Sequence, residues 1–419
     1  MQWIKSKNIL TSSIQIVVGL VFVFSGLMKS IDPVGTAIKI GEYFSSFGIH
    51  SNSSVDLVFS VALNLFETLL GIAIILGLKP KITRSIAFAL MSAMTLLTLY
   101  IYIFNPVADC GCFGDAIIIS NKATFWKNVV LLSFTIILFY NKDYWYHWLN
   151  EKGNAFALLG GAIVFISFNI ANIRHLPIID FRPYKVGSDL MELTTTGGIE
   201  GEYIYKFVYQ KDGVEKVYGI EELGNLDSTW VFVRDEIEVI KEATRPLGAD
   251  FVLIREDGSN AIEDLAYQGK ETILVIAPDL TEIQPKTLSE MLDKCPYPLL
   301  LAMGNTADVW QDQRYKELEK RFAEIYFLDK TTATTIVRSN PGILLIKSGR
   351  IVDKLSGNDF ISVLNKGVIN SNSTGLNYPL YSKFNKFGFV GILVALYVLV
   401  ILCGGIIRRI MIVKCKKEK

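Results

Sequence analysis

Asn105-Pro106-Val107-Ala108-Asp109-Cys110-Gly111-Cys112-Phe113-Gly114-Asp115 is a short polar loop between two long apolar runs, Ile86 to Phe104 and Phe125 to Tyr140. Runs of about 20 apolar residues are what a helix needs to cross a bilayer. Four more occur, at Ile9 to Met28, Leu57 to Leu78, Ala155 to Ile173 and Phe387 to Ile407, so the sequence predicts six spans, the run from Phe125 being the shortest. The composition agrees: 51% of residues are apolar, the mean hydropathy is +0.35 and the net charge is only +1. A soluble chain rarely tolerates so apolar a composition.

Lysine and arginine near the span ends set the expected orientation. The tail with Arg408, Arg409, Lys414, Lys416, Lys417 and Lys419 is strongly basic and is assigned to the cytoplasm. Counting back through six spans puts Lys5 and Lys7, and the loop with Lys79, Lys81 and Arg84, on that same side. Lys29 and Lys122 weaken the bias without reversing it, and Tyr144, Trp145, Tyr146 and Trp148 suit an interfacial belt. The first run is too long for a signal peptide and lacks a small-residue cleavage site after Ser25, so it reads as a retained span. The cysteine loop and the stretch from about Arg174 to Lys386 then face away from the cytoplasm.

That stretch has globular composition and enough length for its own core. Tyr203 to Tyr209 and Phe251 to Ile254 read as strands among turn signals such as Lys211-Asp212-Gly213. Further on, strands and helices alternate: strand Ile273 to Ala277, helix Pro285 to Lys294, strand Leu299 to Met303, a helix around Asp312 to Phe322, strand Ile325 to Leu328 and a helix near Thr331 to Arg338. A hairpin of Ile343 to Ile346 and Ile351 to Lys354 turns at Ser348-Gly349, which implies a sheet layered with helices. The segment Ser339-Asn340-Pro341-Gly342 leading into that hairpin resembles the closing part of thioredoxin-like proteins of the TlpA and peroxiredoxin type. The resemblance covers roughly Ala249 to Leu364 and implies that Pro341 is a cis-proline. Redox-active members carry Cys-x-x-Cys after the first central strand; here Pro278-Asp279-Leu280-Thr281-Glu282-Ile283 follows it. Cys295, at the far end of the next helix, reads as a buried small apolar residue, so the resemblance implies a redox-dead domain.

Phe24-Ser25-Gly26-Leu27-Met28-Lys29-Ser30-Ile31-Asp32-Pro33, Leu65-Phe66-Glu67-Thr68-Leu69-Leu70-Gly71 and Asp109-Cys110-Gly111-Cys112-Phe113-Gly114, in this order, resemble the DoxX and MauE group of small membrane proteins over about Ile9 to Tyr140. The resemblance implies quinone-linked oxidation of sulfur compounds in some relatives, and maturation of a disulfide-rich periplasmic enzyme subunit in those of MauE type.

The residues carry alternatives of their own. Glu67 stands inside a span, where a carboxylate is expensive; it is a candidate proton relay or an interhelical hydrogen bond with Asn64 or Ser25. Lys29 snorkels to the headgroups or pairs with Asp32 or a ligand, and Gly26 and Gly71 permit close helix packing. Cys110 and Cys112 form a candidate redox pair, a loop staple or, last, two ligands of a metal site. A Cys-x-Cys disulfide closes a very small ring and is relatively oxidising, and Asp109 and Asp115 are expected to raise the thiol pKa values. His50, His147 and His175 form no motif with them, so no metal site is assigned. Cys403 and Cys415 fall in or beyond the last span; the lysine tail suits anionic lipid, and nothing favours nucleic acid.

The expected fold is therefore an α-helical membrane bundle of about six transmembrane helices plus an α/β thioredoxin-like extracytoplasmic domain. Its divisions are 1–140 for a four-helix membrane domain, 141–175 for a cytoplasmic loop and fifth span, 176–369 for the outer domain, 370–386 for a linker and 387–419 for the last span and basic tail. The expected function is thiol and disulfide redox chemistry at a bacterial inner membrane, with both termini cytoplasmic, the large domain periplasmic and quinone as candidate cofactor. The alternative is a non-catalytic scaffold whose outer domain binds an extracytoplasmic protein partner.

Overall fold

The computed structural model describes residues 2–107, 109–141, 145, 147, 149, 151–195, 202–211, 214–219, 230–241, 251–266, 271–367, 369, 391, 395, 397 and 398. The membrane part comprises α1 (Gln2–Ile31), α2 (Pro33–Ser46), α3 (Ser53–Leu76), α4 (Pro80–Phe104), the short strand β1 (Cys112–Asp115), α5 (Asn121–Tyr140) and α6 (Glu151–His175). Five of these helices, all but α2, are long and apolar enough to cross a membrane. Local chemistry sets their ends beyond the apolar runs. Asn52 and Ser120 cap α3 and α5 by accepting backbone N–H groups of Val55 and Ala123. Gly77 closes α3 in the left-handed conformation, and Pro80 opens α4. The expected sixth span, the tether before it, Cys403, Cys415 and the basic tail lie outside the described residues, apart from four helical positions. One of those, Tyr397, donates its hydroxyl to the Ala157 carbonyl at 2.8 Å.

Helices α1 and α3 make the closest crossing in the bundle. A Cβ on Gly71 would stand 2.7 Å from the Gly19 carbonyl oxygen and 2.7 Å from the Val23 nitrogen, so only glycine allows the backbones to touch. Asn64, Ser30, Asn169 and Asn172 are buried and tie α3 and α1 to α6 by side-chain hydrogen bonds. The sequence reading did not anticipate α2. It begins with Pro33 after Asp32, whose carboxylate accepts the Gly35 N–H at 2.8 Å, and it lies against α3 on the side where α1 ends.

The remainder holds α7 (Leu190–Thr195), β2 (Glu202–Lys211), β3 (Val214–Gly219), β4 (Val231–Lys241), α8 (Ile262–Ala266), β5 (Glu271–Ala277), α9 (Pro285–Lys294), β6 (Leu299–Met303), α10 (Lys316–Glu319), β7 (Glu324–Phe327), α11 (Lys330–Ile336), β8 (Gly342–Lys347), β9 (Arg350–Ser356) and α12 (Gly357–Asn365). Strands β3, β2 and β4 form an antiparallel sheet of their own. The main sheet has order β7-β6-β5-β8-β9, with β5, β6 and β7 parallel and β8 and β9 antiparallel to their neighbours. Alternation along β5 sends Ile273, Val275 and Ala277 into one core with α9, α10 and α12, and Leu274 and Ile276 into a second core with α7, α8 and α11. The sheet is thus covered on both faces, which explains the continuous apolar runs of β5, β6 and β8.

Two expectations change. Phe251 to Ile254 is an extended segment joined by isolated bridges of Ile254 to Asn260 and Phe327 and by the Leu253 carbonyl accepting the Ala261 N–H; it pins its buried Phe251 and Leu253 into the core without extending a ladder. The helix around Asp312 to Phe322 shrinks to α10, preceded by a 3-10 turn at Ala307–Gln311, because Asp312 and Tyr315 use their backbone in successive tight turns. The peptide Asn340–Pro341 is cis.

Candidate functional site

The ends of α1 and α6, the start of α3 and helix α2 meet the sheet domain on one face of the bundle, and the cysteine loop lies there. Gly111 takes a left-handed φ of 63°, which folds the loop so that the Cys110 and Cys112 sulfurs stand 3.2 Å apart as free thiols. Three anchors hold this turn. The Tyr43 hydroxyl on α2 donates to the Cys110 carbonyl at 3.0 Å, the Ser25 hydroxyl on α1 donates to the Cys112 carbonyl at 2.7 Å, and Asp109 accepts the Gly111 N–H at 2.9 Å.

Beneath Cys112, Lys29 reaches both oxygens of Glu67 at 2.7 and 2.8 Å, with each side chain 6% exposed. Lys29 therefore does not snorkel and does not pair with Asp32. Its charge closes the interhelical contact that Glu67 needs inside the bundle. Glu67 also meets Ser25 at 2.8 Å, while Asn64, the other partner considered, bonds Asn169 instead. A hydroxyl carries one hydrogen, so Ser25 serves Glu67 or the Cys112 carbonyl at any moment and connects the two. Lys127 of α5 completes the surroundings, with its ammonium 4.5 Å from the Phe113 ring centroid and beside the Cys112 sulfur.

These neighbours reverse the expected electrostatics. Cys112 is lowered to about 6: the Cys110 S–H donating to its sulfur is the largest cause, burial opposes it, and the charges of Lys127 and Lys29 add to the lowering. Cys110 is raised, by that same hydrogen bond and by burial. Asp109 and Asp115 do not act as free anions beside the thiols. Asp109 pairs with Lys39 at 3.2 Å, and Asp115 with Arg338 and Arg182, each at 2.8 Å. At neutral pH the arrangement is one thiolate, Cys112, and one thiol that can follow it, Cys110.

A narrow cavity of about 50 Å³ runs inward from Cys112 between Ser25, Glu67, Lys127 and Asn128 on its polar side and Phe22, Met91 and Leu131 on its apolar side. That space holds a few waters. A quinone ring does not fit it, since pockets for such ligands run to roughly 300–1,000 Å³. Among the described residues no group of three His, Cys, Asp or Glu could hold a metal ion. In the sheet domain Cys295 ends α9, half-buried against the core, where burial pushes its thiol up and away from reactivity. Asp279 follows β5 at the place where the thioredoxin-like resemblance would require cysteine. It caps a 3-10 turn and is lowered to about 2, burial being outweighed by hydrogen bonds from Lys330, Thr281 and Asn305.

Sequence reasoning named Cys110, Cys112 and Glu67 as candidates, and the fold brings them together; it did not name Lys127, Lys39, Tyr43 and Arg338, which the fold places around them. Only Lys29 and Glu67 carried a readable signal: two opposite charges in neighbouring spans are each costly alone and cheaper together.

Residues 203–242, which include β3, β4 and all but the first residue of β2, match a domain of unknown function, DUF8463. No curated protein and no solved structure matches the chain. Residues 7–141, from α1 through α5 with the thiol loop included, match the family described as methylamine utilisation protein MauE, so the chain carries a MauE-family membrane domain.

Proposed function

We propose that the chain performs thiol–disulfide exchange on the extracytoplasmic side of a bacterial inner membrane, with Cys112 as nucleophile and Cys110 as resolving thiol. The observation that carries this reading is the Cys112 sulfur held between the Cys110 S–H and the ammonium groups of Lys127 and Lys29. The Cys112 thiolate attacks one sulfur of a partner's disulfide, forming a mixed disulfide and expelling the partner's other sulfur as thiolate. Cys110 gives its proton to that thiolate and attacks Cys112 Sγ, which releases the partner's second sulfur as thiolate. The pair loses two electrons and the partner gains them. Run backwards, the Cys110–Cys112 disulfide oxidises a partner dithiol, the direction that a small ring favours. No step passes through a quinone.

The orientation rests on the basic tail and the basic loop at Lys79 to Arg84, which put the loop and the sheet domain outside. The sheet domain is read as thioredoxin-like without the cysteine pair, on the strength of its strand order, the helices on both faces and Pro341 before the last hairpin. The test is paired. Cys110→Ala and Cys112→Ala should each abolish complementation of a deletion at normal abundance; full function in both variants overturns the exchange reading.

A second reading, a scaffold that binds an envelope protein, is favoured by one observation. A groove of about 560 Å³ between α2, α3 and the sheet domain contains Asp56 Oδ1 and Asn340 Oδ1, two buried acceptors without a donor. Such atoms are costly and invite a partner's N–H groups. Co-purification of one envelope protein, lost in Asp56→Ala but kept in both cysteine variants, would select this reading.

A further inference from the structure

We propose that Arg338, although carried by the sheet domain, is a positioning residue of the thiol site. Docking of that domain thereby sets the reactivity of Cys112. The proposal rests on the exchange reading for its meaning, but its test does not.

Arg338 follows α11 and is 5% exposed at its side chain. Its Nη1 donates to the Thr334 carbonyl at 2.8 Å, which fixes the plane of the guanidinium. Its Nε donates to Asp32 Oδ2 at 2.9 Å and its Nη2 to Asp115 Oδ2 at 2.8 Å, with those carboxylates 8% and 9% exposed. Arg182 Nε stands 2.8 Å from the same Asp115 oxygen, an ion pair without hydrogen-bond alignment. Two arginines of the sheet domain thus face two buried carboxylates of the membrane domain, and the cluster is neutral.

The placement of those carboxylates gives the cluster its significance. Asp32 lies three residues after Lys29 and caps α2, which supplies Tyr43 to the Cys110 carbonyl and Lys39 to Asp109. Asp115 lies three residues after Cys112 and ends β1. The supports of Lys29, of Cys110 and of Cys112 therefore converge on one guanidinium. Gly35 leaves room for it: a Cβ there would stand 2.4 Å from Asp32 Oδ2 and 3.1 Å from Arg338 Nη2. Lysine cannot replace this residue, because a single ammonium has no planar fork with which to span two carboxylates while bonding its own helix. The charges that act most on Cys112 are those of Lys127 and Lys29, so Arg338 does not act on the sulfur directly; it holds the supports of the loop in place and cancels the charge of Asp32 and Asp115.

The test is the pH profile of Cys112 alkylation by iodoacetamide, read by peptide mass spectrometry on the reduced full chain in nanodiscs. Wild type should titrate near 6. Arg338→Gln and Arg338→Lys should both move the midpoint up by about one unit, which lowers the rate at pH 6.5 about threefold. The double variant Arg338→Gln/Asp115→Asn keeps the cluster neutral and strands no charge while loosening β1; it should show the same shift and serves if the single arginine variants do not fold. A wild-type profile in that double variant, or in a folded Arg338→Gln with unchanged Cys295 labelling, overturns the proposal. Loss of the exchange reading by complementation would leave this result unaffected, since alkylation reports the thiol alone.

Discussion

Replacing Lys29 by Met, Glu67 by Gln, and both together tests whether the charges under Cys112 are a structural pair or a working one. The ammonium sits 2.7 and 2.8 Å from the two carboxylate oxygens, and each side chain is 6% exposed. At that separation and an effective dielectric of about 20 the attraction is about 6 kcal/mol, most of which offsets the cost of taking both ions out of water. Removing one partner leaves the other charge stranded, so each single variant should lose about 3–5 kcal/mol. The double variant has no stranded charge and should stand within about 2 kcal/mol of wild type, giving a coupling energy well above the few tenths expected of independent sites. The assay is equilibrium unfolding of the detergent-solubilised chain, with abundance in membranes as a second measure. Single losses under about 1 kcal/mol that simply add would refute the buried ion pair. Complementation by the double variant then separates packing from chemistry for the pair as a whole. A stable but inactive protein assigns the pair to chemistry beside Cys112, where the charge of Lys29 also lowers the thiol, and a stable, active one assigns it to packing.

Three more outcomes follow from the geometry. Cys110→Ala removes the S–H that does most to lower Cys112, so the alkylation midpoint of Cys112 should rise from about 6 towards the ordinary thiol range near 8.5; an unmoved midpoint would put the cause elsewhere. Gly71→Ala must push α1 and α3 apart, because its Cβ meets backbone atoms at 2.7 Å, and should cost about 1–3 kcal/mol; Gly160→Ala, whose Cβ stays 3.4 Å from the Tyr397 ring, should be tolerated. Asp279 is depressed to about 2 in the fold, so its stabilising contribution is full above the ordinary carboxylate pKa near 4 and is lost as pH falls through 2. Asp279→Asn should flatten the acid limb of the full chain's stability between pH 4 and pH 2, and an acid limb identical to wild type would show that its hydrogen bonds to Lys330 and Thr281 contribute nothing.

The spans were legible because a helix that crosses lipid must satisfy its own backbone and be apolar over its whole length, which leaves a long signal in one dimension. Their ends were not, since Asn52 and Ser120 extend α3 and α5 into polar sequence by capping and Pro80 opens α4 as its first residue. Helix α2 escaped for a related reason: a short helix with one apolar face has no apolar run, only a periodicity. In the sheet domain β5, β6 and β8 were readable because both faces are buried, whereas Phe251 to Ile254 has the residues of a strand without a neighbour to pair along its length.

The thiol site shows where local reading of charge fails. Asp109 and Asp115 flank the cysteines in sequence, and an anion one residue away is expected to raise a thiol's pKa. That expectation treats each carboxylate as free. In the fold Asp109 is matched by Lys39, and Asp115 by Arg338 and Arg182, the Arg338 contact spanning 223 positions of sequence. A neutralised carboxylate exerts little field, so the charges that lower Cys112 are those of Lys127 and of Lys29, which Glu67 also holds, and no spacing rule connects either to the cysteines. The sign of the potential at Cys112 is therefore a property of how α1, α2, α5 and the sheet domain are assembled. It follows that the sheet domain, though it lacks a cysteine pair after β5, belongs to the electrostatics of the membrane site. Reactivity of Cys112 should accordingly be measured on the full chain, where Arg338 and Arg182 still cancel the charge of Asp115.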